Sequence, residues 1–434
     1  MSLFLGTARE KITPKIGTCL FGYRPNIRST SVEDDLNVTA FYFKKDGTEV
    51  VWISATVCLL NTELISGARA LISEQNGIPV ENIIISATHT HSGPNTSGMY
   101  GWGDIDTEYC ESIFVPALLA VSKKAMATPV EVEMGIGIGN SDIGINRREI
   151  KIDGTIALGQ NPWGCYNPQM TVISFRNKQH KPVANIVHYG MHGTCAGTNF
   201  EISRDWSGIM CDMLEKDSGA ITAFFTGPEG DVGPRLSNGK TLGDGDVAYV
   251  HEIGNKAALD AVKIYKTIKI YNKDPKLSVM QSEMSIPLEK RYSAEFCRGK
   301  IKQYEGETEN LRGGMRRYFE KVLKSYEDGY EDKIAKEVPH NFLILGDVAI
   351  VTFPYELFSE IGLRISKFSP FPYTLSIACT NGSESYFAAE SDICRGGYEI
   401  NSFLYSGIQP FIKNADLYLI NETLKDLNKI HEEI

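Results

Sequence analysis

The chain has 434 residues, 42% of them apolar, with 44 basic and 54 acidic side chains and a formal net charge of -10. That composition suits a globular chain with one large core or two smaller ones. An acidic balance with no basic tract of interleaved aromatics argues against a nucleic-acid partner. No window approaches the roughly 18 consecutive apolar residues of a membrane helix.

The opening MSLFLGTAREKITPKIG meets charge too soon to hold a signal-peptide core, so a cytoplasmic protein with no transmembrane segment is expected. Nine cysteines, at 19, 58, 110, 165, 195, 211, 297, 379 and 394, are scattered, odd in number and free of any CxxC pair. Reduced thiols fit that pattern better than a disulfide framework.

In chain order, LNVTAFYFKK and DGTEVVWISATVCLL read as two strands joined at a DG turn, within residues 37 to 60. NTELISGARALISEQN has helical spacing and runs into the turn NGIP. NIIISATHT is a short apolar run fit for a buried strand. Strand, helix, strand in about fifty residues predicts an α/β unit with a right-handed crossover. Residues 106 to 126 read as helix, and the glycine-rich EVEMGIGIGNSDIGINRRE as a segment that ends in loop. Two strands come next, around KQHKP. DWSGIMCDMLEKDSG is a helix, AITAFFT a strand entering a Gly/Pro loop, and VAYVHEIGNKAALDAVKIYKTI an amphipathic helix. Residues 290 to 336 are charge-dense and predicted helical, as an insertion, a lid or a solvated packing helix. The α/β pattern resumes with FLILGDVAIVTFPYELFSEIGLRISKF and YTLSIACTNGSES. The reading is an α/β fold: one catalytic domain over 1–434, with a mixed β-sheet flanked by helices and a metal site at the strand ends.

One event recurs. An apolar strand ends, and a small-residue loop carrying His, Asp or Glu comes after it, in ATHTHSG, VHYGMHGT, TGPEGDVGP, TFPYE and ACTNGSESY. Sites in open α/β sheets gather outside the carboxyl ends of strands. His89 and His91 flank a single threonine, and alternate side chains of an extended segment share a face. They could be two metal ligands, one ligand with an acid/base, or polar residues satisfying loop carbonyls. A zinc site wants about four ligands. A third histidine is available at His188 or His192, and acidic candidates are Asp205, Glu229, Asp231 and Glu356.

ATHTHSGP resembles the zinc-binding segment of the neutral, non-lysosomal ceramidases. The order of five further segments resembles that family too: INRRE, MHGTCAGTNFEISRDWSG, GPEGDVGP, FPYE, then NGSESYFAAESDICRGGYE, over about residues 7 to 420. The resemblance implies an α/β catalytic domain around one zinc ion that hydrolyses the amide of ceramide to sphingosine and fatty acid. It implies His89, His192, Glu356 and Tyr386 as Zn2+ ligands and His91 as the acid/base. Arg147 would contact substrate near the reacting carbonyl, with Arg148 as its neighbouring rival, and Tyr398, twelve residues after Tyr386, would stand by the oxyanion. His188 reads as a hydrogen-bonded core histidine, Glu360 as the competitor of Glu356, and Asp205 as a cap or as an orienter of a ligating histidine. Asp231 reads as a support.

The implied reaction uses a metal-activated water. His91 takes and returns the proton, and the metal, Arg147 and Tyr398 share the oxyanion charge. Two departures bear on it. Gly233 stands where many members of the family have a serine sometimes proposed as nucleophile, which weakens an acyl-enzyme route. The chain is also expected to be without the C-terminal immunoglobulin-like domain of longer members. The expected substrate is a small-molecule or lipid-like N-acyl compound. A zinc esterase or peptidase on a small polar substrate is the alternative, or a non-catalytic binding protein of the same fold. The sequence does not fix the oligomeric state.

Overall fold

The computed structural model describes residues 2–308 and 310–433; Glu309, inside the charged segment, lies outside them. The first half is built on an eight-stranded mixed sheet. Its strands are β1 (Phe4–Lys11), β2 (Asn37–Lys45), β3 (Thr48–Ala55), β4 (Ile83–Ala87), β5 (Val130–Asn140), β6 (Gln169–Asn177), β7 (Pro182–Tyr189) and β8 (Ile221–Thr226). The order across the sheet is β8-β7-β6-β5-β1-β2-β3-β4. Two neighbouring pairs are parallel, β3 with β4 and β7 with β8. A helix crosses between the members of each: α1 (Thr62–Asn76) and α2 (Asp205–Ser218). The first is fixed at both ends, and it stops at the NGIP turn that its sequence predicts. Asn61 accepts from Leu64 N at 3.0 Å, and Gly77 closes it with φ 70°.

A second, four-stranded sheet faces the first. In sequence its strands are Leu277–Pro287, Ala335–Leu345, Val348–Thr352 and Tyr373–Ile377, and they neighbour one another in that order. Alternation decides which layer each side chain enters. Trp52 and Val50 join Ile350 and Val348 in a core between the sheets. Val51 and Ile53 pack on the other face with Ile65 and Ile72 of α1, while Ala349 and Val351 meet the helices Ser359–Phe368 and Ala415–Glu433. One mixed sheet with helices around it is expected from the strand pattern. The two largest sheets lie face to face instead, each with helices on its outer side.

The glycine-rich segment, expected to end in loop, ends in a strand. Val130–Asn140 is an eleven-residue strand, and Gly144–Ile150 is another in a small sheet with Ile156–Asn161 and Val232–Pro234. The alternating glycines let a helix lie against the strand. A Cβ at Gly137 would fall 2.8 Å from the Ile264 carbonyl and 2.9 Å from Ile268 Cγ1. These two residues belong to the end of the predicted amphipathic helix, Ala248–Thr267, and the residue after it. The charged segment is an excursion from an antiparallel strand pair, Leu277–Pro287 with Ala335–Leu345. Its helices, Ala294–Gln303 and Leu311–Glu327, bury Cys297, Tyr318, Phe319 and Val322 with Leu404. Among the described residues no helix is long and apolar enough to cross a membrane.

Candidate metal centre

The carboxyl ends of five strands converge on one buried point. β4 ends at Ala87 and delivers His89 and His91; β7 ends at Tyr189 and delivers His192. β8 leads to Glu229, and the strands Val348–Thr352 and Tyr373–Ile377 lead to Glu356 and Tyr386. The two histidine loops are zipped by their backbones: His91 N donates to Gly193 O at 3.0 Å and Gly193 N to His89 O at 3.2 Å. Glu356 and Tyr386 stand opposite each other in a two-residue parallel pair. His89 has φ 65°, in the left-handed region that L side chains rarely adopt. Such strain persists where surrounding structure over-determines it, and here it aims the ring inward.

The ring nitrogens meet at close range. His89 Nε2 lies 3.4 Å and His192 Nε2 3.2 Å from Glu356 Oε2. His91 Nε2 is 3.2 Å from His89 Nε2, and the Tyr386 hydroxyl is 3.3 Å from His192 Nε2. All are buried: His89 is 1% exposed, His192 0%, Glu356 4% and His91 9%.

The far nitrogen of each ring fixes its chemistry. His89 Nδ1 faces Cys58 O at 3.0 Å, His192 Nδ1 faces Glu229 O at 2.8 Å, and His91 Nδ1 faces Gly22 O at 3.0 Å. Carbonyls only accept, so each Nδ1 carries the hydrogen and each neutral ring turns an Nε2 lone pair inward. Glu356 Oε2 is buried and has no hydrogen-bond donor. Two nitrogen lone pairs and an orphaned carboxylate oxygen within 4.8 Å of one another repel unless a proton or a cation lies between them. A donor set of two imidazoles, a carboxylate and a phenol suits a divalent transition metal. These residues therefore fit a metal ion.

Electrostatics without a metal agree. Burial drives His192 down to about 3 and His91 well below the usual imidazole range, so neither ring holds a second proton near neutrality. Burial also opposes charge on His89, but Cys58, Glu356 and Cys379 outweigh it and push that ring up. Burial would raise Glu356, yet His89 and His192 hold it well below the carboxylate range. The opposite shifts of His89 and Glu356 mark a site that favours positive charge between them, a demand that a bound cation would meet.

Arg147 and Arg148 part ways. The strand Gly144–Ile150 shifts register between Asn146 and Arg148, a bulge that re-aims Arg147. Arg147 Nη2 donates to the Tyr386 hydroxyl at 2.9 Å and its Nε to Glu399 Oε1 at 3.0 Å. Arg148 Nη1 takes the other oxygen of Glu399 at 2.6 Å, and its Nη2 binds Gly396 O at 2.6 Å. Arg148 therefore braces the loop that carries Tyr398, while Arg147 faces the cluster. The Tyr398 ring stands 5.7 Å from that of Tyr386, edge to face, and packs on Trp102 and Tyr405. Burial raises its phenol far above the usual range, with Glu356 adding to the shift and Arg147 opposing it.

The remaining candidates separate cleanly. His188 donates through Nε2 to Ser376 O at 3.0 Å and stands apart, as a core histidine. Glu360 accepts from Ser391 at 2.6 Å, away from the cluster. Asp205 accepts from the amides of Cys195, Ala196 and Trp206, bracing the loop after His192 and opening helix α2. It does not touch a histidine ring; Trp206 Nε1 instead holds His192 O at 3.1 Å. Asp231 accepts from Ser359 N and Oγ at 2.7 and 2.8 Å. A Cβ at Gly233 would lie 2.8 Å from Thr241 Cβ, so a serine there would crowd its neighbour.

Sequence reasoning missed two parts. Glu399 joins both arginines, a need that two adjacent buried cations signal only once they are known to be buried. Behind His89 sit Cys58 Sγ and Cys379 Sγ, each 3.8 Å from Nδ1. The Cys379 thiol donates to Glu229 Oε1 at 3.2 Å, and burial pushes that carboxyl up to about 8. Nothing in the spacing of the cysteines foretells this.

Fold and site together define an α/β protein with mixed sheets, flanking helices and a buried His/Glu cluster able to hold a metal ion. Comparison with known proteins narrows that class. No protein-family model matches the chain. Among curated relatives, Neutral ceramidase A of Dictyostelium discoideum is 28% identical over 269 residues, 56% of this chain and 37% of that protein. Neutral ceramidase B of the same organism is 26% identical over 230 residues, 48% of this chain and 31% of that one. The matched stretch is thus well under half of either relative. Among solved structures, the neutral ceramidase from Pseudomonas aeruginosa aligns with a TM-score of 0.76 over 99% of this chain and 75% of that one, at 17% identity. A ceramidase complexed with C2 aligns with a TM-score of 0.76 over 100% and 76%, at 16% identity. The chain shares the fold of these ceramidases and is distantly similar to them in sequence.

Proposed function

We propose that the chain is a metal-dependent amidohydrolase that cleaves an N-acyl bond, with zinc as the metal and a ceramide-like or simpler N-acyl amide as substrate. The observation that carries this reading is the inward Nε2 of His89 and His192 around the donorless Oε2 of Glu356. The distant likeness to neutral ceramidases supports the choice of an amide.

His89, His192, Glu356 and Tyr386 would hold the ion. When bound, it would supply a Lewis acid and lower the pKa of an attacking water. His91 is a proton carrier by construction: its Nε2 is bare and faces the cluster, and its Nδ1–H is spent on Gly22 O. It takes the proton of the attacking water at Nε2 and returns it to the leaving amine. Arg147 is buried and tied to Tyr386, a placement from which its guanidinium would stabilise the oxygen on which charge develops. Tyr398 adds a neutral phenol donor from the braced loop. With Gly233 at the position of the serine, this scheme runs without an acyl-enzyme.

The test is purified protein assayed for metal content and for hydrolysis of N-acyl amides of graded chain length. The reading expects a stoichiometric metal and a rate that depends on acyl length. Hydrolysis that ignores acyl length would favour the esterase or peptidase alternative; metal binding without any turnover would favour a binding protein.

A further inference from the structure

Gly22 and Tyr23 lie far from the histidines in sequence, yet they form one wall of the His91 site. The short strand Cys19–Phe21 pairs with Gly93–Pro94, Phe21 opposite Gly93 and Leu20 opposite Pro94. That pairing sets the next residue, Gly22, against the ring two positions before Gly93. Gly22 has φ 123°, and a Cβ there would fall 2.4 Å from His91 Nδ1 and 2.5 Å from its Cγ. No L side chain fits on either count. The approach lets the Gly22 carbonyl reach Nδ1 at 3.0 Å. Tyr23 then lays its ring on His91, centroids 5.1 Å apart at 59°.

A proton carrier must present the correct nitrogen. Which imidazole nitrogen is bare is decided by what the other one faces. We infer that the Gly22–Tyr23 turn is the positioning device of His91: its carbonyl pins the hydrogen on Nδ1 and its tyrosine ring holds the imidazole against that carbonyl. The kinetic part of this inference rests on the proposed hydrolase reading; the tautomer part does not.

The test uses the full chain labelled with 15N-histidine, with the His91 signals assigned from a His91→Gln variant. In the wild type, with and without added zinc, His91 should be the Nδ1–H tautomer. Gly22→Ala should populate the Nε2–H form. It should leave the metal content at the wild-type level and lower kcat at least about tenfold with little change in KM, since general-base catalysis is worth about 10²–10⁴-fold. If Gly22→Ala does not fold, Tyr23→Ala decides: a shifted tautomer supports the inference and an unchanged one overturns it. A wild-type His91 resting as Nε2–H also overturns it, as does a folded Gly22→Ala protein with unchanged tautomer. A wild type that hydrolyses nothing would remove the hydrolase reading while leaving the tautomer arm intact.

Discussion

At the residue scale, the cluster assigns different consequences to side chains that are neighbours in sequence. His89 and His192 each turn an Nε2 toward Glu356 Oε2. Replacing either with alanine should therefore abolish bound metal, measured by elemental analysis. His91 makes no contact with Glu356 within hydrogen-bond range, and its Nε2 faces His89 instead. His91→Ala should keep the metal and lose about 10²–10⁴-fold in kcat. Retained turnover in that variant would remove His91 from proton transfer. Arg147 and Arg148 differ in the same way. Arg147→Lys keeps a charge but cannot span Tyr386 and Glu399 together, so kcat should fall by about 10²-fold. Arg148→Lys should act chiefly on stability, read as a lowered Tm, because it braces Gly396 and Glu399. The spacing His-x-His, read alone, left ligand and carrier indistinguishable. The difference lies in which ring reaches Glu356, a residue distant in the sequence: His89 Nε2 lies 3.4 Å from its Oε2, whereas His91 Nε2 faces His89.

At the element scale, periodicity made α1, α2 and Ala248–Thr267 legible, because an amphipathic face repeats locally. It failed at Val130–Asn140, where glycines alternate with isoleucines. Glycine there suggested loop, whereas the strand needs it to admit a helix at backbone distance. Gly137→Ala should accordingly push against the Ile264 carbonyl and cost about 1–3 kcal/mol of stability in denaturant unfolding. An alanine tolerated without loss would show that the helix can back away. The bulge before Arg148 was equally hidden, since a register shift depends on the partner strand, which the sequence does not align.

At the scale of the whole molecule, the convergence of five strand ends was legible because each end carries the same small-residue loop with a polar residue. The facing of two sheets was not, since the apolar alternation on each strand is the same whichever layer covers it. Burial across that double layer has a measurable consequence. His188 sits in the core, and burial depresses its pKa to about 4 from 6.5. The unfolded chain therefore binds this proton first as pH falls. The stabilising contribution is accordingly present above pH 6.5 and is lost between 6.5 and 4, at up to about 1.4 kcal/mol per pH unit. Comparing wild type with His188→Gln by thermal unfolding should show a shallower acid slope in the variant; equal slopes would place the titration elsewhere. The proposal that distant loops gather around a single cation is tested most directly by anomalous diffraction from crystals of the zinc-loaded protein. One peak is expected, bounded by His89, His192, Glu356 and Tyr386, with His91 beside it and not bound to it. A peak elsewhere, or none with those side chains turned apart, would contradict a metal centre at this site.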